Sequence, residues 1–232
     1  MKPHISKTKM IILLITGIIG CVFMAGSDWI MIYGDTAYHG KLAWLTQGVI
    51  QIEPWRNSLA MLLAFPAVIL YCIALTGMKD YFKDELGKKI YSFLTTVGFT
   101  PWLCLHLFYI MILYIFAWLQ KNGHKDVSYL VGEKLFEQFG WVVIVGEIII
   151  VIPFLYLCVA TIFSKTVFSK WMALNNPLLI YVVLKIVTMF MPDTPLRLAF
   201  TNGLMSESML VFFLIYIIGT IFIKDRSLGK IF

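Results

Sequence analysis

Five ionisable side chains lie within strongly apolar segments of this sequence, and their types could support chemistry. They are Asp28, His106, Glu147, Lys185 and Glu207. A charged group inside a bilayer costs at least about 2.5–3.5 kcal/mol, so it marks either a function or a paired partner. Histidine titrates near neutral pH, and a carboxylate can act as its partner in proton transfer. We therefore expect His106 and Glu147 to be the catalytic, proton-handling pair.

The remaining three charges have binding roles in this interpretation. A lysine ammonium can hold an anion, so Lys185 is expected to be an anion holder or counter-ion. Asp28 is expected to orient a ligand or bind a metal, and Glu207 to contact the substrate. Helical spacing adds three aromatic residues to the faces that carry His106 and Lys185, namely Trp102, Tyr109 and Tyr181.

All five charges are predicted to lie at similar depths. At 1.5 Å per residue, His106 and Lys185 lie about 24 and 20 Å from the cytoplasmic starts of their predicted helices. Glu147 and Glu207 lie about 10 and 5 Å from the outer starts of theirs, and Asp28 is near an outer helix end. A cavity that opens outward would gather charges in this way, whereas unrelated ion pairs would not. The depths therefore predict a polar pocket in the outer half of the membrane.

Two polar residues after the first apolar segment, Asp35 and His39, would form the mouth of this pocket. If they are helical, their spacing of four places them on one face, where they could bind a metal jointly. The candidate ligands for any metal are therefore Asp28, Asp35, His39 and His106, while the cysteines have no metal-binding spacing.

Four of these residues also have a structural interpretation. Glu147 and Lys185 could neutralise each other between adjacent helices and fix their packing. His106 could be a neutral imidazole bonded to a neighbouring helix. Glu207 could be a carboxylate favoured by the positive end of a helix dipole.

The composition identifies the elements that must position these groups. Of 232 residues, 60% are hydrophobic and 14% are charged. This hydrophobic content exceeds that of soluble domains. A helix needs about 20 apolar residues to cross the hydrocarbon. Six segments meet this length and predict an all-α bundle of six transmembrane helices in one domain, 1–232: Met10–Tyr33, Ser58–Met78, Ile90–Leu119, Gly140–Phe163, Met172–Pro192 and Leu204–Ile223.

The distribution of Lys and Arg predicts the orientation of this bundle. Twelve of these residues lie at the two chain ends and in the connections after the second and fourth segments, against six on the opposite side. Cytoplasmic loops retain such residues, so both termini are expected to be cytoplasmic. Short loops favour a bacterial cytoplasmic membrane. The net charge of +6 is explained by anionic lipid headgroups and requires no nucleic acid.

The sequence lacks a glycine-rich phosphate loop, His-Glu-x-x-His and Gly-x-Ser-x-Gly, so no nucleotide cofactor is expected. The leading hypothesis is an outward-facing pocket that binds a lipid or small amphipathic molecule, with acid–base chemistry as a further step. A proton-coupled transporter would use the same charges as a relay. A non-catalytic membrane partner, such as an immunity, sensor or assembly subunit, would instead bind another protein through the outer loops.

Overall fold

A computed structural model describes residues 6–34, 36, 48–49 and 52–222 of the chain. The described residues form helices and no strand, which confirms the predicted helical fold class. The α-helices, numbered in chain order, are α1 Lys7–Ile32, α2 Pro54–Gly77, α3 Glu85–Lys121, α4 Lys125–Ile162, α5 Pro177–Met189, α6 Pro195–Asn202 and α7 Leu204–Phe222. Short 3₁₀ turns, Met78–Tyr81 and Lys170–Leu174, precede α3 and α5.

Side-chain caps fix where several helices begin. The carboxylate of Asp84 accepts a hydrogen bond of 2.7 Å from the Gly87 amide at the start of α3. Asn176 accepts from the Leu178 amide at the start of α5, at 2.9 Å. Such caps satisfy amides that have no partner within the helix. The charged and polar residues that punctuate the apolar segments therefore also determine the helix boundaries.

Five of the described helices are long and apolar enough to cross a membrane: α1, α2 with its 3₁₀ extension, α3, α4 and α7. The protein is therefore a multi-pass membrane protein. The segment predicted as a fifth crossing, Met172–Pro192, is divided between a 3₁₀ turn and the 13-residue α5. At 1.5 Å per residue, α5 is about 20 Å long, less than the thickness of the hydrocarbon.

Helix α4 begins at Lys125, well before Gly140, where the predicted segment Gly140–Phe163 starts. Only a short turn separates α4 from α3. Gln120 donates a hydrogen bond of 2.6 Å to Ser128 across this turn, and the rings of Phe116 and Tyr129 meet edge to face at 5.4 Å. The polar face of this first part of α4 lowers its hydropathy without preventing helix formation.

Helix α1 packs against α2 on one side and against α7 on another, while α3 packs between α2 and α4. Close approach of α1 to α2 depends on Gly20, where an added Cβ would lie 3.1 Å from the Ala67 carbonyl oxygen. Further along, Ser27 donates a hydrogen bond of 2.9 Å to the Ala60 carbonyl. Small residues on α1 thus form part of its contact with α2.

The two ends of the bundle are named here after α2. The Pro54 end holds the last turn of α1 and α3 and the first turn of α2, α4 and α7; an ion pair between Glu53 and Lys121 joins α2 to α3 there. The Gly77 end holds the opposite termini of these helices. A buried hydrogen bond of 2.9 Å between the Tyr81 and Thr220 hydroxyls lies at the Gly77 end.

Candidate functional site

Three helices meet at the carboxylate of Asp28, near the Pro54 end. One oxygen, Oδ1, lies 3.3 Å from Nε2 of His106 on α3. The other, Oδ2, accepts a hydrogen bond of 3.1 Å from the Ser206 hydroxyl on α7. The side chains of Asp28 and His106 are 11% and 12% exposed. We call these three residues the Asp28 cluster, and its Asp28–His106 contact has ion-pair distance without a well-aligned hydrogen bond.

A second polar contact joins α1 to α7, one residue further along each helix than the contact between Asp28 and Ser206. The indole nitrogen of Trp29 donates a hydrogen bond of 2.8 Å to Oε1 of Glu207. The other carboxyl oxygen of Glu207 is buried and has no hydrogen-bond partner among the described residues. Gly203 allows this contact, because a Cβ there would lie 2.8 Å from Oε1 of Glu207 and 3.1 Å from the indole nitrogen.

Aromatic side chains form the floor beneath the Asp28 cluster. Tyr71 of α2 is fully buried, and its ring lies 5.3 Å from the ring of Trp102. Trp102 in turn meets the imidazole of His106 edge to face at 6.2 Å. The Tyr71 hydroxyl is within electrostatic range of Asp28. Trp102 was expected beside His106, whereas the contribution of Tyr71 was not found from the sequence because an apolar run masks it.

Glu147 lies on an exposed face of α4, within electrostatic range of both His106 and Asp28. Tyr109 and Tyr181 are half-buried and lie within range of Glu147. The structure therefore brings these predicted residues to the same side of the bundle as the Asp28 cluster. Glu147 is accessible from the surroundings of the helices, while Asp28 is enclosed.

Lys185 is not joined to this group. It is exposed on α5, and no ion pair links it to Glu147 in the described part of the chain. Its backbone carbonyl accepts a hydrogen bond of 2.7 Å from the Thr188 hydroxyl, which closes the last turn of α5. In the described part of the chain, Lys185 therefore does not neutralise Glu147 through an ion pair.

The candidate metal ligands are only partly described. Asp35 and His39 lie outside the described residues. Within the residues that the structure describes, no group of three His, Cys, Asp or Glu side chains is placed to hold a metal ion. Asp28 and His106 form a pair, which suits orientation of an imidazole better than metal binding.

Two grooves of about 570 Å³ each are open at the surface of the helices. One lies between α2 and α3 near the Pro54 end and is largely apolar. The other lies at the Gly77 end and is lined by charged residues of the 3₁₀ turn and α3. Neither includes a residue of the Asp28 cluster among its described lining residues, so the predicted polar pocket is not one of these grooves.

The Asp28 cluster can position the His106 imidazole beside a carboxylate, and the second carboxylate, that of Glu147, is reachable from the membrane.

No curated protein and no solved structure matches this chain. One family model does match, over residues 1–222. The chain accordingly belongs to a family of unknown function, DUF6796.

Proposed function

We propose that this protein binds a lipid or small amphipathic molecule beside the Asp28 cluster and exchanges a proton with it through His106. The single observation that carries this proposal is the meeting of Asp28, His106 and Ser206 from three helices, with Glu147 on the adjacent accessible face. Ionisable groups that are partly buried and close together are typical of sites that handle protons. The membrane is the natural source of a molecule that reaches Glu147.

Asp28 acts on the imidazole in this proposal and does not contact the ligand. Its Oδ1 lies next to Nε2 of His106, which favours the proton on Nε2 and leaves Nδ1 as the basic nitrogen. The hydrogen bond from Ser206 holds the other oxygen of Asp28 and fixes the carboxylate. His106 Nδ1 then accepts a proton from the ligand, and Glu147 provides a second acceptor on the accessible side.

The proposal includes an orientation, with the Pro54 end facing outward and both termini in the cytoplasm. It is supported by the excess of Lys and Arg at the Gly77 end, which the positive-inside rule assigns to the cytoplasm. It also includes a sixth crossing, made by α5 together with the residues on either side of it. A bacterial cytoplasmic membrane remains the proposed location.

An inserted epitope tests the orientation. Gly123 lies in the turn between α3 and α4, where no described atom lies within 4 Å of an added Cβ, so an epitope inserted there should leave the fold intact. It is expected to bind antibody on intact cells. An epitope after Ser164, in the turn that follows α4, is the matched control and should bind only after permeabilisation. The reverse pattern would overturn the orientation.

Retention of a ligand tests the site. Protein purified in lipid nanodiscs is analysed by native mass spectrometry for bound amphipathic molecules. We expect a retained species whose occupancy falls at least about tenfold in His106→Gln and Glu147→Gln, since about 1.4 kcal/mol of lost binding energy corresponds to that factor. His124→Gln is the matched control, because His124 is exposed beyond the Pro54 end and far from the cluster in sequence.

Identical bound species at identical occupancy in all four proteins would refute the binding proposal. Loss of the species in His124→Gln as well would also contradict it, because that result would make the effect independent of the site. A proton-exchange role further requires that the Nδ1 signal of His106 in nitrogen NMR changes when the retained ligand is added back. An unchanged signal with a bound ligand would overturn that role.

A second candidate function, a proton-coupled carrier, is favoured by hydroxyl groups that continue toward the Gly77 end. The hydroxyls of Tyr71 and Tyr91 are buried and make no hydrogen bond to the described residues, and Thr76 and Thr95 approach to 3.5 Å. A carrier would acidify proteoliposomes that hold a pH dye when a substrate gradient is applied. Tyr91→Phe should abolish that signal while leaving ligand binding at the Asp28 cluster intact.

A further inference from the structure

Asn57, in the first turn of α2, has a buried amide without a hydrogen-bond partner among the described residues. Only 2% of the surface of this residue is exposed. Neither Oδ1 nor Nδ2 makes a hydrogen bond to any described residue. Leaving a buried polar group unpaired costs about 1–3 kcal/mol, and nearly all such groups in folded proteins have a partner. The amide therefore calls for a partner that offers it both an acceptor and a donor.

Asn57 lines the apolar groove between α2 and α3. The groove has a volume of about 570 Å³, within the range of about 300–1,000 Å³ that is usual for small-molecule sites. Its other described lining residues are Ser58, Met61, Ile110, Met111, Tyr114 and Ile115. None of these side chains carries a charge, so the groove suits a neutral and mostly apolar occupant.

Polarity changes along the groove in the same order as along a membrane lipid. At 1.5 Å per residue, Asn57 lies about 5 Å and Met61 about 10 Å from the start of α2, and Met111 about 15 Å from the end of α3. The exposed Trp55 stands at the start of α2, where aromatic residues mark the membrane interface. The amide is thus level with the glycerol region of a lipid, and the methionines are level with its chains.

We propose that this groove is a binding site for a neutral glycerolipid that carries an ester carbonyl and a free hydroxyl, as diacylglycerol does. Both amide atoms are covered in the empty groove, so the Asn57 side chain turns toward the lipid on binding. Nδ2 then donates to the ester carbonyl, and Oδ1 accepts from the hydroxyl. One acyl chain lies along Met61, Ile110 and Met111. This site goes beyond the function proposed above and does not depend on it, since the groove contains no residue of the Asp28 cluster.

Photocrosslinking in proteoliposomes tests this assignment. The probe is a diacylglycerol with a diazirine on one acyl chain, and the crosslinked residues are located by mass spectrometry. We expect crosslinks on α2 and α3 along the groove. Unlabelled dioleoylglycerol should compete at least about tenfold better than its diether analogue, which lacks the ester carbonyl, and better than a phosphatidylcholine of the same chains.

Substitutions distinguish a specific role of the Asn57 amide from general contact with lipid. Asn57→Leu should reduce crosslinking about tenfold. Asn202→Leu is the matched control, because the Asn202 amide lies outside the groove and donates to the Leu198 carbonyl; its crosslinking should be unchanged. Met111→Trp fills the groove from its exposed side without altering Asn57, and it should also block the probe if Asn57→Leu does not fold.

Equal competition by the ester, the diether and the phosphatidylcholine would overturn the proposal and identify the groove as an ordinary contact with bulk lipid. Unchanged crosslinking in both Asn57→Leu and Met111→Trp would overturn it as well. His106→Gln should leave the crosslinks in place. If the crosslinks persist, they support this site. If His106→Gln and the wild-type protein also retain the same ligands, that second result refutes the proposed function and leaves this site unaffected.

Discussion

The hydrogen bond between Trp29 and Glu207 allows a quantitative test of how α1 and α7 are held together. Trp29→Phe removes the indole donor, which lies 2.8 Å from Oε1 of Glu207. The other oxygen, Oε2, already lacks a partner among the described residues, so the substitution removes the one side-chain hydrogen bond that the described residues make to this carboxyl group. An unsatisfied buried group costs about 1–3 kcal/mol, and hydrogen bonds between membrane helices average about 0.6 and reach about 1.7 kcal/mol. We expect Trp29→Phe to lower the free energy of unfolding by about 1–2 kcal/mol.

The assay is reversible unfolding in mixed micelles, followed by circular dichroism. Trp55→Phe is the matched control, because Trp55 is 61% exposed, and its effect should be close to zero. A double-mutant cycle with Glu207→Met removes the ring-packing contribution of Trp29. The double variant should lose about 1 kcal/mol less than the sum of the two single variants, because removing both partners leaves nothing unsatisfied.

Gly203→Ala tests the same hydrogen bond without changing either partner. Its Cβ would lie 2.8 Å from Oε1 of Glu207 and 3.1 Å from the Trp29 indole nitrogen, so the two groups must separate. We expect a loss similar to that of Trp29→Phe, and little additional loss when the two changes are combined. The reasoning is refuted if Trp29→Phe costs no more than Trp55→Phe, or if all the single effects add within about 0.3 kcal/mol.

Three further predictions use the same unfolding assay. Gly26→Ala should stabilise the protein by up to about 1 kcal/mol, because alanine favours a helix over glycine and its Cβ would meet only one described atom, at 3.7 Å. Gly20→Ala should instead destabilise the protein, and equal effects of the two changes would contradict the packing argument. Asn176→Ala should cost about 1–2 kcal/mol, since it removes a helix cap and a buried hydrogen bond to the Phe154 carbonyl. Ser206→Ala should cost about 1 kcal/mol by removing the donor to Asp28, and no loss would count against the observed contact.

Depth along a helix could be predicted from the sequence, and it accounts for part of the candidate site. Helices that cross one membrane share its boundaries, so counting residues places Asp28, His106 and Glu147 at similar levels. The structure has Asp28 and His106 3.3 Å apart. Rotation about each helix axis could not be predicted, because it depends on how neighbours pack. Lys185 has a similar expected depth, yet it is exposed on α5 and separate from Glu147.

The length of α5 could not be predicted from hydropathy either. The segment Met172–Pro192 is apolar enough for a crossing, but two asparagines interrupt it near its beginning. The amide of Asn175 donates to the Phe212 carbonyl, at 3.1 Å, and that of Asn176 to the Phe154 carbonyl, at 3.2 Å. These contacts with other helices hold the chain in a non-helical conformation, so α5 begins only at Pro177. Average hydropathy does not register such specific tertiary hydrogen bonds.

The candidate site and the closure of the bundle depend on the same contacts. The hydrogen bonds from Ser206 to Asp28 and from Trp29 to Glu207 each join α1 to α7 across 178 residues of sequence. The partners of Asp28 and Trp29 lie on α7, so these two side chains lack them until α7 has inserted. A polar side chain on an isolated helix in lipid is costly, which favours the association of the two helices. Pairing the first apolar helix with the last described one therefore satisfies these groups and positions Asp28 against His106 in a single step. Consequently, substitutions in Ser206 that impair any activity of the site should also weaken the association of α1 with α7, whereas His106→Gln should affect the activity alone.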